Sequence, residues 1–137
     1  MNLVLDITEI SDNNIFFYDS VKNTVMNNSS FIRIIYSNSD IILNGIYIKL
    51  NIDKSELNKI FSNELLNKFD NLEKKILNHY KNDKLQINKL REQLIYNINK
   101  INNINVKDSI NNYLLKISGI WETDNNIGLT YKFIYIY

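Results

Sequence analysis

Aromatic and basic residues alternate along the segments of this chain whose patterns predict β-strands. Surfaces that combine rings with cations bind single-stranded nucleic acid, because bases stack on the rings for roughly 1–3 kcal/mol each while lysines follow the phosphates. These residue types therefore predict binding without catalysis. The candidate contacts are Arg33, Tyr36, Tyr47, Lys49, Lys116, Trp121, Tyr131 and Lys132.

A second interpretation applies to the last predicted strand, where Tyr131, Phe133 and Tyr135 share one side. Such a row equally predicts rings that point inward and fill a core beneath helices, and we favour this interpretation for the three residues. On the preceding strand, strict alternation puts Lys116 and Trp121 on opposite sides. This separation of basic from aromatic groups weakens the prediction of a binding surface there.

Catalytic side chains are scarce. The chain has no Cys and a single His, which excludes disulfides, thiolate nucleophiles and cysteine metal sites. A lone helical histidine such as His79 is typical of a surface or boundary position. The chain has no glycine-rich phosphate loop and no nucleophile elbow. We therefore predict that the protein is not an enzyme.

Carboxylates are distributed as solvated surface charge. Glu73, for example, stands beside Lys74 and Lys75, a pattern typical of an exposed helix face. The acidic residues near the predicted strands follow no calcium-loop spacing. We therefore predict no metal site and no cofactor. Those acidic residues are Asp6, Glu9, Asp12 and Asp19.

Length and composition narrow the class of protein. The 137 residues with a net charge of +1 predict a single domain over residues 1–137, without the strongly basic surface that coats nucleic acid. Ala and Pro are absent while Asn, Ile, Lys and Tyr abound, as an A/T-rich genome produces. No signal peptide is visible, and no apolar run approaches the roughly 20 residues of a membrane span. These features predict a soluble intracellular protein.

Period-two patterns predict three or four strands in the first part of the chain. The runs cover residues 3–8, 15–18, 31–36 and 41–52. In the last run Ile42 and Ile46 are predicted on one side, and Tyr47 and Lys49 on the other. Gly45 in its middle predicts a bulge or a sharp bend.

The period changes to that of a helix over residues 53–101. Asp53-Lys-Ser-Glu56 resembles the capping box that starts a helix, and two apolar stripes follow. The first stripe is Leu57, Phe61, Leu65, Phe69, Leu72, Ile76 and Tyr80. The second stripe is Ile87, Leu90, Leu94, Ile98 and Ile101.

Residues 113–137 predict a β-hairpin whose turn, Asp124-Asn-Asn126, tolerates left-handed backbone angles. Three or four strands, a helical insertion and two further strands predict an α+β fold. The order fits an antiparallel sheet with helices on one face. It also fits an OB-like barrel of about five strands, with residues of about 53–101 inserted between strands three and four.

Several segments resemble small, poorly characterised proteins of large nucleocytoplasmic DNA viruses. Leu114-Leu-Lys-Ile-Ser-Gly-Ile-Trp-Glu-Thr123 and residues 127–133 are similar to the carboxy-terminal part of that group. Residues 31–36 with 43–47 are similar to its amino-terminal part, and Lys89-Leu-Arg-Glu-Gln-Leu94 to its middle. The strand–Gly–aromatic ending also resembles, more weakly, the last strands of OB-fold single-stranded DNA-binding proteins of phages and viruses.

Two roles follow as expectations. The first is non-enzymatic binding of single-stranded nucleic acid in viral replication or repair. The second is a structural or virion-assembly role through protein–protein contacts and homo-oligomers, which a near-neutral charge and a long amphipathic helix favour. Neither role calls for a membrane.

Overall fold

The computed structural model describes residues 4–22, 28–50, 63–80, 82–102 and 112–136. They form an α+β fold with one open, mixed sheet of eight strands and with two α-helices. In chain order the elements are β1 (Ile15–Phe17), β2 (Val21–Lys22), β3 (Ser30–Ser37), β4 (Ile42–Leu43), β5 (Ile46–Leu50), α1 (Asn63–His79), β6 (Leu85–Ile87), α2 (Leu90–Asn102), β7 (Asn112–Glu122) and β8 (Asn126–Ile136).

The sheet follows the path β1–β3–β7–β8–β6, with three further short strands on its sides. β2 and β4 pair with β3, and β5 pairs with β7. All strand pairs are antiparallel except β6 with β8. The α+β prediction is confirmed, but the predicted size of about five strands is wrong. In the described part of the chain the open sheet does not show the closure of an OB-like barrel.

The helical insertion contains a strand that periodicity did not predict. Ile87 was assigned to the second helical stripe, but the backbone of Leu85–Ile87 pairs with Asn126–Gly128 in β8. Three residues are too few for period to separate a strand from a helix. The partner that decides between them lies far along the chain, so local sequence does not reveal it.

β7 and β8 form the predicted carboxy-terminal hairpin. At its turn the backbone N–H of Thr123 donates to the carbonyl oxygen of Asn126 at 2.9 Å. A β-bulge interrupts the pairing between Ile117 and Gly119. The prediction of unbroken alternation along β7 is therefore wrong beyond Ile117.

One side of the sheet, called here the inner face, packs against both helices, and the opposite side is called the outer face. Inner-face side chains and the apolar stripes of the helices form a single core cluster. The aliphatic strand residues with no exposed surface are Ile32, Ile34, Ile46, Ile48, Leu115, Ile117, Ile120 and Ile127. Each fully buried aliphatic side chain of this size stabilises the fold by about 1.5–3 kcal/mol.

The helices match their predicted apolar stripes where these are described. Buried stripe positions are Phe69, Leu72 and Ile76 in α1, and Leu90, Leu94 and Ile98 in α2. α1 ends at His79, so the predicted stripe residue Tyr80 lies just past the helix. The predicted capping box at Asp53–Glu56 lies outside the described residues.

The strand expected over residues 3–8 is reduced to one bridge. Leu5 pairs in parallel with Ile48 of β5, and a 3₁₀ turn begins at Ile7. The side chain of Asp6 accepts from the backbone N–H of Thr8 at 3.0 Å. This local hydrogen bond favours the turn over continuation of the strand.

Gly45 produces the predicted bend between β4 and β5. Its φ of +112° is one that other residues rarely adopt, and a Cβ there would lie 2.7 Å from the carbonyl oxygen of Ile117. Beyond the bend, Ile46 is buried, whereas Ile42 is 76% exposed. The prediction that Ile42 and Ile46 share one side is therefore wrong, because the bend interrupts the alternation.

Candidate functional site

Most of the predicted contact residues lie together on the outer face of the sheet. Residues directly opposite one another on paired strands project to the same side. Tyr47 is opposite Lys116, which is opposite Lys132, and Phe31 is opposite Trp121 in a second row. With Phe31, the outer-face residues form what we call the basic-aromatic surface: Arg33, Tyr47, Lys49, Lys116, Trp121 and Lys132.

The bulge in β7 is what unites this surface. Lys116 and Trp121 are five positions apart, so a regular strand would place them on opposite faces. The bulge adds one residue to β7, and the two residues then pair with Lys132 and Gly128, which are four positions apart on β8. The expectation that Lys116 and Trp121 lie on opposite faces is therefore wrong, whereas Tyr131 does lie on the face opposite Lys132.

Two glycines allow aromatic rings to lie against the sheet. A Cβ on Gly128 would stand 2.5–2.7 Å from ring atoms of Trp121, and a Cβ on Gly119 would stand 2.6–2.7 Å from ring atoms of Phe31. A larger residue at either position would displace the ring above it. The glycines thus keep both rings close to the backbone on the outer face.

The basic-aromatic surface is cationic. Among the described residues of β3, β5, β7 and β8 the only carboxylate is Glu122, which is paired with Lys84 at 3.2 Å. Lys116 stands directly opposite Lys132, and like charges in that position destabilise a sheet. The Nζ of Lys116 lies 5.4 Å from the ring centroid of Tyr47, a cation–π contact that offsets part of the repulsion.

Two of the predicted contacts, Tyr36 and Tyr131, lie on the inner face instead. Tyr36 is 2% exposed, and its hydroxyl accepts from the backbone N–H of Ser11 at 3.2 Å. The prediction that Tyr36 stacks on a ligand is therefore wrong, since it is a core residue. Tyr131 is half-buried beside Phe133 with ring centroids 6.0 Å apart, as the inward interpretation predicts. The side chain of Tyr135 lies outside the described residues.

A pocket of about 280 Å³ opens at the edge of β8, just past the end of β6. β6 covers this edge only as far as Gly128, so the following β8 residues face the pocket. Trp121 lines it too and therefore belongs to both the pocket and the basic-aromatic surface. What we call the Glu73 pocket is lined by Glu73, Ile87, Lys89, Trp121, Leu129, Thr130 and Tyr131.

Glu73 lines this pocket and is 1% exposed. Its Oε2 accepts from the backbone N–H groups of Lys89 and Leu90, both at 3.2 Å. Burial raises the pKa of this carboxyl from 4.5 to about 7, although the two N–H donors act in the opposite direction. The side chain therefore joins α1 to the start of α2 and titrates near neutral pH.

The expectation that Glu73 is ordinary surface charge is wrong, and a signal in the sequence could have shown this. Glu73 stands four positions after Phe69 and three before Ile76. That spacing puts it on the apolar stripe of α1. The adjacent lysines concealed this, because they suggested a run of surface charge.

Tyr131 also lines the pocket and carries a hydroxyl group. Burial, with the nearby charges of Glu73 and Glu92, raises the pKa of Tyr131 to about 12. The phenol therefore keeps its proton under physiological conditions. Lys89 is exposed and contributes a cation to the lining.

The other titratable groups considered in the sequence have local roles. Asp12 pairs with Lys75 at 2.7 Å, and Nε2 of His79 donates to the carbonyl oxygen of Ile15 at 3.2 Å. Within the described ranges, no three His, Asp or Glu side chains converge as a metal site would require. Neither α1 nor α2, as described, has the length and apolar character needed to cross a bilayer.

Comparison with known proteins gives no relative. No protein-family model, curated protein or solved structure matches the chain. Function must therefore be argued from the geometry of the basic-aromatic surface and the Glu73 pocket.

Proposed function

We propose that the protein binds single-stranded nucleic acid, without catalysis, through the basic-aromatic surface. One observation carries this proposal: the β7 bulge brings Lys116 and Lys132 onto the same face as Trp121. Rings can then stack on bases while cations on the same face contact phosphates. The resemblance to small proteins of large DNA viruses favours a role in replication or repair inside the host cell.

The arrangement of rows supports an extended ligand. The row containing Trp121 and the row containing Lys132 are four β8 residues apart, which is about 14 Å at the rise of a β-strand. A flexible single strand can span both rows, with bases on the Phe31 and Trp121 rings. A net charge of only +1 means that attraction must come from this local patch.

Titration with labelled oligothymidine tests the proposal. We expect the anisotropy of an oligonucleotide of about 12 nucleotides to rise on binding, with quenching of Trp121 fluorescence. If the four cations Arg33, Lys49, Lys116 and Lys132 each contact one phosphate, log K should fall with log salt at a slope of about −3. Double-stranded DNA of the same length should bind more weakly, because its bases are already stacked.

Matched variants locate the binding surface. Lys116→Gln with Lys132→Gln should reduce the salt slope to roughly half, because two of the four phosphate contacts are lost. Lys74→Gln with Lys100→Gln removes the same charge from exposed positions on the helices and should leave affinity nearly unchanged. Equal losses from both pairs, or no quenching of Trp121, would reject the proposal.

A second candidate is the structural role through protein–protein contacts, which exposed apolar residues favour. Phe16 and Val21 are 51% and 57% exposed on the short strands β1 and β2, and edges with exposed apolar groups invite association. The apolar stripe of α1 does not support this role, because its described part is buried within the chain. Light scattering decides: a monomer at every concentration, unchanged by Phe16→Ser, would reject assembly.

A further inference from the structure

The Glu73 pocket is larger than packing requires, and the stacking described above does not use it. At about 280 Å³ it is just below the roughly 300–1,000 Å³ of pockets for drug-sized ligands. A single ring system therefore suits its size better than a whole nucleotide or a peptide. Trp121 joins it to the basic-aromatic surface, so a strand bound there can place one base in the pocket.

The lining selects the chemistry of that ring system. Ile87 and Leu129 are apolar, and Trp121 presents an aromatic ring. Apolar and aromatic side chains suit a planar base, because nucleic-acid-binding proteins hold bases that have left the stack between such side chains. Lys89 lines the same pocket and has an ammonium group that suits the phosphate of the same nucleotide.

Glu73 then determines which edge of a base is accepted. An ionised carboxylate only accepts hydrogen bonds and has about four lone-pair positions. The backbone N–H groups of Lys89 and Leu90 use Oε2, whereas Oε1 receives only one long bond of 3.4 Å. Guanine alone among the common bases presents two adjacent N–H donors on its Watson–Crick edge, so it matches Oε1, the carboxylate oxygen that still has lone pairs to offer.

We infer that the Glu73 pocket receives one unstacked base of the bound single strand, with guanine preferred because its two N–H donors face the buried carboxylate. This inference rests on the proposed function, since the strand must first bind the basic-aromatic surface. Thymine and uracil offer one N–H donor each. Adenine and cytosine place a ring nitrogen acceptor beside their amino group, and this acceptor would face the carboxylate unfavourably.

The experiment compares the affinities of two labelled strands of about 12 nucleotides, oligothymidine and the same strand with one central guanine. Binding is measured by anisotropy at low salt. The pH is about 8, so that Glu73 is ionised. We expect the guanine to tighten binding by on the order of tenfold. Glu73→Gln should bring the ratio of the two affinities to about one, because an amide whose oxygen accepts from the backbone N–H groups turns its NH₂ group toward the base. Glu64→Gln, at an exposed position on the same helix, should keep the wild-type ratio.

A second variant guards against misfolding of Glu73→Gln. Ile87→Phe puts a larger side chain on β6, which reduces the pocket volume while the carboxylate is kept. This variant should also bring the ratio of the two affinities to about one. A wild-type ratio of one, with salt-dependent binding of both strands, would overturn the pocket inference and leave the proposed function intact. A guanine preference that survives both variants would also overturn it. If neither strand binds, both the inference and the proposed function fail.

Discussion

The two faces of the sheet use the same strands for different purposes. On the inner face, Ile117 and Leu115 are fully buried against the helices. On the outer face, Lys116 between them stands opposite Lys132, a pairing that destabilises the sheet. The core cluster of the fold therefore lies on the inner face. On the outer face Ile35 and Leu114 are buried, but the residues of the basic-aromatic surface lie outside the core cluster, which is why we assign binding to them.

Glu73 and Trp121 are exceptions to this division between the two faces. Glu73 belongs to a buried helix stripe, yet it carries a group whose charge burial disfavours. Trp121 belongs to the outer face, yet it lines the same pocket as Glu73. Residues of the two faces therefore meet at this pocket.

Neighbouring positions on β7 give the strongest test of the difference between the inner and outer faces. Ile117→Ala should lower the free energy of unfolding by about 4 kcal/mol, because it removes a fully buried side chain and leaves a cavity. Lys116→Ala, one residue away on the other face, should change it by less than about 0.5 kcal/mol. Chemical denaturation followed by circular dichroism measures both.

Nucleic-acid affinity should respond in the opposite order. Lys116→Ala should weaken binding, while Ile117→Ala, measured well below its denaturation midpoint, should leave it close to wild type. If both variants lost stability equally, the assignment of inner and outer faces from the strand register would be wrong.

Glu73 allows the division to be tested with pH. Its folded-state pKa of about 7 lies above its usual 4.5, so the folded state holds more protons between these values. Its ionisation therefore destabilises the fold progressively as pH rises from about 4.5 through 7, by about 3 kcal/mol in full. Below that window both states are protonated and the effect is absent.

Glu73→Gln isolates this contribution because the amide does not titrate. As pH rises from about 4 to about 8, the unfolding free energy of the variant should increase relative to that of wild type by about 3 kcal/mol. Glu64→Gln, exposed on the same helix, controls for the loss of one carboxylate. A difference that stays constant with pH would show that Glu73 is not buried as described.

Much of the fold could be predicted from periodicity. The hairpin, the strand at Phe31–Tyr36, the bend at Gly45 and the described parts of the stripes on α1 and α2 are local patterns, and each is present. β6 was not predictable in this way, because its three residues fit two periods and its partner is distant in sequence. The open sheet and the number of strands depend on such distant pairings, which one sequence does not reveal.

The candidate site was predicted only in part, because it too depends on pairings between distant strands. Residue types identified Lys116, Trp121 and Lys132, but strict alternation separated the first two. A bulge changes the side of every residue that follows it, and Ser118-Gly119 alone did not indicate where it falls. Tyr36 was misplaced because an aromatic residue in a strand can face either way, and only the pairing with neighbouring strands decides.

Gly128→Ala tests whether the position of the Trp121 ring depends on the absence of a side chain at Gly128. The added methyl group would stand 2.5 Å from the ring, so the side chain must move, at a cost of about 1–2 kcal/mol in stability. Emission of the single Trp should shift to longer wavelength as the ring enters water, and oligonucleotide binding should weaken.

A double-mutant cycle supplies the control for this clash. Adding Trp121→Leu removes the ring, so Gly128→Ala should then cost much less than it does in the wild-type background. Equal costs in the two backgrounds would show that the alanine acts through the strand itself, and that Gly128 does not position the ring.

Lys132→Glu has a small expected effect on stability, and it separates the functions of the two faces most clearly. Lys132→Glu replaces a repulsive pair with Lys116 by an attractive one, so it should stabilise the fold by about 0.2–1 kcal/mol. The same change puts a negative charge on the surface that we propose contacts phosphates, and it should weaken nucleic-acid binding well beyond the loss caused by Lys132→Gln. Lys100→Glu makes the same charge change on α2 and should weaken binding little. A gain in stability together with a loss of binding is expected of a residue retained for its ligand, whereas a loss of stability would mean that Lys132 serves the fold.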